Sequence, residues 1–235
     1  MNSENPSPSI PLLASFRGRL APDRPRPVGG QPTAGEESNA AYDTLVARVH
    51  LCRLCPRMEG RRRVLGAGNG PLQARVLFLA EAPGRLGGDR TGRPLTSDQT
   101  GRNFARLLDG IGWRREDVFV SNAVLCNPRD AAGRNAPPSA REVRQCSSHL
   151  RDLLAMLDPP LVAPLGRVAL SALALLAPHT IDLRRDVATA QAWNGRTLVP
   201  LYHPGPRAQL HRTFAQQQED FVRLSVISCQ LPIDG

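Results

Sequence analysis

The stretch Arg75-Val-Leu-Phe-Leu-Ala-Glu-Ala-Pro-Gly84 decides the fold class of this chain. Residues 75–81 contain a short continuous apolar run, and the sequence after it is rich in Gly and Pro. A run of this length before turn residues is typical of a buried strand in a parallel sheet. Three further runs of this kind lie at residues 118–124, 161–165 and 196–202. The sequence therefore predicts four strands.

Helical patterns separate the predicted strands. Apolar residues at helical spacing mark one helix over residues 104–111. Ser139-Ala-Arg-Glu142 is a capping box, and it predicts a helix that runs to about Leu157. Residues 168–176 and 214–224 carry an apolar and an amphipathic helical pattern. Because strands alternate with helices, the fold class is α/β, with helices on both faces of a parallel sheet.

The length and the ends of the chain set the domain boundaries. A chain of 235 residues suits one domain with a tail. Residues 1–36 contain seven prolines and no apolar periodicity, so we expect a disordered arm and the start of order near Asn39. The domain is expected at 37–228, with a tail at 229–235. No apolar run approaches the length of a membrane span, and the start does not resemble a signal peptide, so we expect a cytoplasmic protein.

The charge balance points to a polyanionic partner. The 30 basic residues exceed the 21 acidic ones and give a net charge of +9. Such an excess is typical of proteins that bind nucleic acid. Every basic residue is Arg, and the chain has no Lys. Mechanisms that need a lysine Schiff base are therefore excluded, including that of glycosylases that also cut the DNA strand.

Polar residues lie after or within three of the predicted strands. They are Glu81, Asn122 and His203. Each has an ordinary structural explanation, as a solvated turn acid, a strand-end amide and a packed turn residue. Ligands of parallel sheets bind outside the carboxyl ends of the strands, however, and all three residues are expected at that edge. Their convergence favours a functional crevice.

The cysteines are Cys52, Cys55, Cys126, Cys146 and Cys229. Tyr42, Leu45, Val46 and Val49 repeat at helical spacing and predict a helix. Cys52 and Cys55 form a CxxC pair at its end, where a metal site is a better interpretation than a redox motif. Four thiolates from separate elements suit zinc or an iron–sulfur cluster. The alternative is that Cys126 and Cys146 are small buried hydrophobic residues. Cys229 has no partner in the sequence pattern.

Several motifs together resemble one family. They are Cys52-Arg-Leu-Cys55, the loop AEAPGRLGGDRTGRPLTSDQTG at 80–101, SNAVLCNP at 121–128, Cys146 in its helix, and YHPGPR at 202–207. From Cys52 to about Leu224 the chain resembles the iron–sulfur uracil-DNA glycosylases, families 4 and 5 of that superfamily. The resemblance implies a three-layer α/β/α sandwich with a short parallel four-stranded sheet. It also implies a [4Fe–4S] cluster, and so decides between the two metals.

The resemblance assigns roles to individual residues. The cluster ligands would be Cys52, Cys55, Cys126 and Cys146, and the catalytic residues Glu81, Asp89 and His203. The uracil pocket would be formed by Ala80, Glu81, Ala82, Leu95, Asn122 and His203, and Arg207 would contact DNA. In family 4 an aromatic residue stacks on uracil at the position of Leu95, so stacking is weaker here.

The implied function is a monofunctional DNA glycosylase that excises uracil in base excision repair. Its partner would be single- or double-stranded DNA containing uracil, and we expect a monomer associated with the nucleoid. The alternative is a non-catalytic iron–sulfur protein that binds DNA as a scaffold. Leu95 and the mixed character of the 80–101 loop favour that alternative.

Overall fold

A five-stranded sheet forms the frame of the molecule in a computed structural model that describes residues 33–232. The strands are β1 (Val76–Ala80), β2 (Phe119–Asn122), β3 (Leu161–Pro164), β4 (Gln191–Trp193) and β5 (Arg196–Leu198). Their order in the sheet is β2-β1-β3-β5-β4. Residues 1–32, most of the predicted arm, and residues 233–235 lie outside the described part of the chain.

The sheet is mostly parallel. β1 pairs in parallel with β2 and β3, and β3 pairs in parallel with β5. These are the four predicted strands, although β5 ends at Leu198, earlier than predicted. The prediction of four strands was wrong by one, because β4 pairs antiparallel with β5 at the edge. The turn between them is Asn194-Gly195, with φ of 47° and 73°, which is the sequence signal for a tight hairpin.

Helices pack on both faces of the sheet. They are α1 (Ala34–His50), α2 (Gly88–Thr91), α3 (Gln99–Asp109), α4 (Ala140–Leu157), α5 (Arg167–Ala174) and α6 (Phe214–Gln230). Leu77 and Leu79 of β1 face one core, which contains α1, α4 and α5. Phe78, between them, faces the other core, which contains α3 and α6. The alternation along one strand gives the expected three layers.

The first and last helices extend beyond the predicted bounds. α1 begins at Ala34, and its N-cap Thr33 forms a capping box with Glu36. Residues 34–36, which were predicted to belong to the arm, are therefore helical, and the Thr-x-x-Glu pattern of a capping box is the sequence signal for this start. α6 runs to Gln230, past the predicted domain end at residue 228. No helix within residues 33–232 is long and apolar enough to cross a membrane.

The register of the strands brings three loops together. Ala80 at the end of β1 lies opposite Asn122 at the end of β2, and Leu79 lies opposite Pro164. Gly166, just after β3, donates its backbone N–H to the carbonyl of Leu201. The segments after β1, β2 and β5 therefore leave the sheet at one edge, where the predicted site residues lie.

Candidate functional site

A polar cavity of about 570 Å³ opens at the carboxyl ends of β1 and β2. Its wall is formed by residues from the segments 81–88, 95–100, 122–136 and 203–208. Six of the residues singled out from the sequence line it, namely Glu81, Ala82, Leu95, Asn122, His203 and Arg207. The wall also contains residues that the sequence analysis did not select, among them Asp98, Asn127 and Asn135.

Asn122 is a buried polar residue with an unused donor. It is the last residue of β2 and only 2% exposed. Its Nδ2 is buried and finds no hydrogen-bond partner among residues 33–232. An unpaired buried amide destabilises a protein by about 1–3 kcal/mol. Because this amide lines the polar cavity, the group that satisfies it would be a ligand.

His203 is held as a neutral imidazole. Burial lowers the pKa of His203 to about 4, although nearby Asp98 opposes the shift. The backbone N–H of Gly205 donates to Nδ1 over 3.1 Å. That bond leaves the proton of the neutral ring on Nε2, which becomes a hydrogen-bond donor. Asn103 of α3 fixes the turn by donating to the carbonyl of Pro204 over 2.7 Å.

Two carboxylates line the polar cavity. Glu81 follows β1, and burial raises the pKa of its carboxyl group. Asp98 caps α3, and its Oδ1 accepts a hydrogen bond from the backbone N–H of Gly101 over 2.8 Å. A Cβ at Gly84 or Gly87 would lie within 2.8 Å of Asp98 Oδ2, so the loop wraps closely around this carboxylate. The sequence signal for Asp98 was its position as an N-cap before α3.

The structure places Asp89 outside the polar cavity. Its carboxylate accepts a hydrogen bond from the Arg129 guanidinium over 2.5 Å and from the backbone N–H of Arg62 over 3.1 Å. Arg129 also donates to Asn127 Oδ1 over 2.7 Å, and Asn127 donates to the carbonyl of Pro83 over 2.6 Å. Asp89 therefore braces the cavity wall through Arg129 and does not reach a molecule inside the cavity.

The remaining selected residues differ in their access to the polar cavity. Ala80 is fully buried at the end of β1 and does not line the cavity, because its side chain packs in the core beside α3 and α6. Leu95 lines the wall with φ of 51°, and Ser97 has φ of 66°. Such angles are uncommon for residues other than glycine and cost about 1–3 kcal/mol each. Arg207 is exposed at the cavity mouth.

A second, smaller cavity, the cysteine cavity, collects the predicted thiols. It is lined by Cys52, Cys55, Cys126 and Cys146, with Leu54, Met58, Arg63, Val124 and Gln145. The backbone N–H of Leu125 donates to Cys146 Sγ over 3.4 Å. Burial raises the pKa of Cys126 to about 11 and that of Cys146 to about 12. Cys229 lies on α6 and is exposed.

The four thiols converge without forming a compact ligand set for one ion. Within residues 33–232, no group of three or more His, Cys, Asp or Glu side chains is arranged to hold a metal ion. Arg63 lines the cysteine cavity and donates twice to the carbonyl of Cys52, over 3.2 and 2.7 Å. The guanidinium thus holds the CxxC segment in place beside Cys126 and Cys146.

Comparisons with known proteins match most of the described chain. A family model described as the uracil DNA glycosylase superfamily matches residues 67–224. The Type-4 uracil-DNA glycosylase of Thermotoga maritima is 31% identical over 158 residues, which cover 67% of this chain and 78% of that protein. The Type-4 enzyme of Archaeoglobus fulgidus is 28% identical, with coverage of 78% and 92%. The Type-5 enzyme of Pyrobaculum aerophilum is 31% identical, with coverage of 70% and 83%.

Proposed function

Because the chain belongs to the uracil-DNA glycosylase superfamily, we propose that it excises uracil from DNA by hydrolysing the N-glycosidic bond. The observation that carries the proposal is Asn122, a buried amide with an unused donor in the wall of the polar cavity. This step would begin base excision repair. An enzyme of chromosomal DNA repair would act at the nucleoid, in the cytoplasm.

The substrate nucleotide must leave the duplex to reach the polar cavity. A stacked base is inaccessible, so enzymes of this class rotate the nucleotide out of the helix. The volume of about 570 Å³ lies within the usual range for small-ligand sites. Pro206 and Arg207 at the mouth are exposed and would meet the DNA strand around the extruded nucleotide.

Asn122 would read the edge of the base. Its Nδ2 donates to uracil O4, and its Oδ1 accepts from uracil N3–H. Cytosine presents a donor and an acceptor in the opposite order and leaves the amide mispaired. A mismatch of this kind costs about 1–3 kcal/mol per buried unpaired group. Asn122 therefore supplies both affinity for uracil and discrimination against cytosine.

His203 and the carboxylates would stabilise the charges of the reaction. The bond between the sugar C1′ and uracil N1 breaks, which leaves a cationic sugar and an anionic base. The Nε2–H of neutral His203 donates to uracil O2 as negative charge develops there. Glu81 or Asp98 orients the water whose hydroxyl adds to C1′, and the proton of that water ends on the uracil. Asp89 is assigned a positioning role only.

We propose that the cysteine cavity holds a [4Fe–4S] cluster. The donor set fits, because four thiols from three separate segments line one cavity whose wall holds no carboxylate and no imidazole. The raised pKa of Cys126 and Cys146 means that metal binding would displace their protons. The bound cluster would supply a covalent link between α4, the segment after β2 and the CxxC segment, and it has no part in the steps above.

The product would be an intact strand with an abasic site. Strand cleavage by an imine route needs a lysine side chain, and the chain contains none. Treatment with borohydride should therefore trap no adduct between a side chain of the enzyme and its DNA product.

A base-excision assay tests the proposal. Purified protein should release uracil from a single-stranded oligonucleotide, and Asn122→Ala should lower the single-turnover rate by about 10²–10³-fold. Asn122→Asp, which keeps the size but not the donor, should lower it similarly. Both variants should still bind abasic DNA, because phosphate contacts supply most of that affinity. Absence of uracil release by the unaltered chain would overturn the proposal in favour of a scaffold.

A further inference from the structure

A second basic site lies outside the polar cavity. Residues His50, Arg61, Arg62, Arg63, Leu65 and Gly92 line a surface pocket of about 310 Å³, here called the arginine pocket. Three of the six are consecutive arginines, and no acidic residue lines the wall. Such an arrangement concentrates positive charge, and it attracts anions.

The hydrogen bonds of the arginine pocket leave donors unused. Arg63 is fully engaged, since it donates to the carbonyls of Cys52 and Arg61. Arg62 uses its Nε to bind the carbonyl of Asp89 over 3.1 Å. Within residues 33–232 this is the one hydrogen bond that the Arg62 side chain forms, and the buried Nε of Arg61 has no partner there. His50 binds the carbonyl of Leu65 through Nε2 over 2.9 Å.

The carboxylate of Asp89 does not neutralise this charge. Asp89 binds the backbone N–H of Arg62, but its other oxygen pairs with the Arg129 guanidinium. The single negative charge of Asp89 is therefore shared with Arg129, which does not line the arginine pocket. The guanidinium groups of Arg61 and Arg62 have no carboxylate partner in the described chain. An external anion would accept hydrogen bonds from their unused donors.

The arginine pocket lies one helical turn from the polar cavity. Gly92, at the end of α2, has φ of 77°, and a Cβ there would lie 3.4 Å from Arg62 Nη1. Gly88, at the start of the same helix, lines the polar cavity. Four helical steps separate the two glycines by about 6 Å. Phosphates of one DNA strand advance about 3.4 Å per nucleotide along the duplex axis, so about two nucleotides span this distance.

We infer that the arginine pocket binds a DNA backbone phosphate about two nucleotides from the extruded uracil, with Arg61 and Arg62 as donors. This inference rests on the proposed function for the identity of the polyanion. The arginine pocket would thus hold the strand at a second point, in addition to Pro206 and Arg207 at the mouth of the polar cavity. The contact carries no sequence information, because phosphates are identical at every position.

A charge-matched pair of double variants tests the inference. Arg61→Gln/Arg62→Gln removes two charges from the arginine pocket. Arg151→Gln/Arg223→Gln removes two charges from exposed positions on α4 and α6. Binding to an undamaged oligonucleotide is measured at several salt concentrations. The first variant should weaken binding about tenfold and make the salt dependence shallower by about 0.9 in the log–log slope. The control should change both less.

Phosphate replacement locates the contact. Methylphosphonates, which lack the phosphate charge, are placed one at a time on either side of uracil. In the unaltered protein, one replacement within about three nucleotides should weaken binding about tenfold, and in Arg61→Gln/Arg62→Gln the same replacement should have little further effect. If the two losses simply multiply at every position, the arginine pocket does not bind that phosphate and the inference is wrong.

The failure of this inference differs from the failure of the proposed function. Both binding measurements use DNA affinity and need no excision of uracil. If Arg61→Gln/Arg62→Gln leaves the salt dependence of DNA binding unchanged while the unaltered protein releases uracil, only the assignment of the arginine pocket is wrong. If the variant makes the salt dependence shallower but the unaltered protein releases no uracil, the proposed glycosylase activity is wrong and the arginine pocket stands. Equal melting temperatures of the two double variants would show that altered folding does not cause the difference.

Discussion

Residues 122–127 contribute to both the polar cavity and the cysteine cavity, but the polar atoms in the two cavities have different surroundings. Asn122 and Asn127 line the polar cavity, whereas Val124 and Cys126, between them, line the cysteine cavity. In the polar cavity the Asn122 amide is buried in the wall and its Nδ2 has no partner among residues 33–232. In the cysteine cavity the thiols are packed beside apolar side chains and raised in pKa by burial. The first arrangement suits exchange of a substrate and the second a resident group.

The comparison predicts that substitutions in the two cavities have separable effects. A substitution in the cysteine cavity should change metal content and stability. A substitution in the polar cavity should change the rate of excision and leave the metal in place. The largest expected effect belongs to the cysteine cavity, because loss of one thiol would break the link that the proposed cluster makes between three segments.

Cys146→Ala should abolish the iron content. Protein purified without oxygen should carry about four irons per chain and absorb broadly near 400 nm if it holds a [4Fe–4S] cluster. Without the Cys146 thiol, α4 loses its bond to the cluster, so the iron should be lost and the melting temperature should fall. Cys229→Ala is the matched control and should keep both. Stoichiometric zinc without iron in the unaltered protein would contradict the cluster proposal.

Glu81→Gln should lower the single-turnover rate by about 10²-fold and flatten its pH profile. Burial raises the pKa of Glu81, and the carboxylate is the form that orients water. The rate should therefore rise with pH through that raised pKa and then level off. His203, with a pKa of about 4, is already neutral above about pH 5 and does not shape this limb.

The pH profile of Asp98→Asn is the control for Glu81. Asn preserves the cap of α3, so the fold should be kept while one negative charge is lost. This variant should retain the acidic limb that Glu81→Gln removes. If the rate of Glu81→Gln still rises with pH as it does in the unaltered protein, another group titrates in this range and orients the water.

Asp98→Asn and Asp89→Asn should separate a contact with the substrate from a brace of the wall. We expect Asp98→Asn to lower the saturated rate about tenfold, or ~1.4 kcal/mol, with little change in melting temperature. Asp89→Asn weakens the ion pair with Arg129 and should lower the free energy of unfolding by about 1–3 kcal/mol, with a smaller effect on rate. If Asp89→Asn lowers the saturated rate more than Asp98→Asn does, Asp89 has the catalytic role that the sequence predicted.

The sequence predicted the elements that depend on local pattern. The apolar runs identified β1, β2, β3 and β5, because a buried parallel strand needs continuous apolar residues. It missed β4, whose three residues carry no such run and owe their pairing to the turn at Asn194-Gly195. Strand ends also pointed to Glu81, Asn122 and His203, which line one cavity. The register of β1 and β2 brings the first two together, whereas His203 lies beyond the end of β5 and is positioned by the segment that follows the strand.

The sequence could not rank the acids of the 80–101 loop. Asp89 and Asp98 are both close to glycines, and spacing does not show which one faces inward. The decision depends on α2, a single turn that directs Asp89 toward Arg129, and on the cap of α3, which holds Asp98 at the cavity. The orientations of Asp89 and Asp98 both depend on how the loop folds back on itself. Such tertiary contacts leave no recognisable pattern in the sequence.

The smallest expected effect concerns the start of the chain, far from both cavities in sequence. Thr33 and Glu36 form the capping box of α1, so deleting residues 1–36 removes the cap while deleting residues 1–32 keeps it. The longer deletion should lower the free energy of unfolding by about 1 kcal/mol more than the shorter one. Thermal unfolding of the two purified proteins measures the difference. Equal melting temperatures for the two deletions would show that the box contributes nothing, whereas a large drop already on deletion of 1–32 would show that these residues stabilise the domain. Iron content and excision rate should be the same in both, because neither cavity draws a residue from this end of α1.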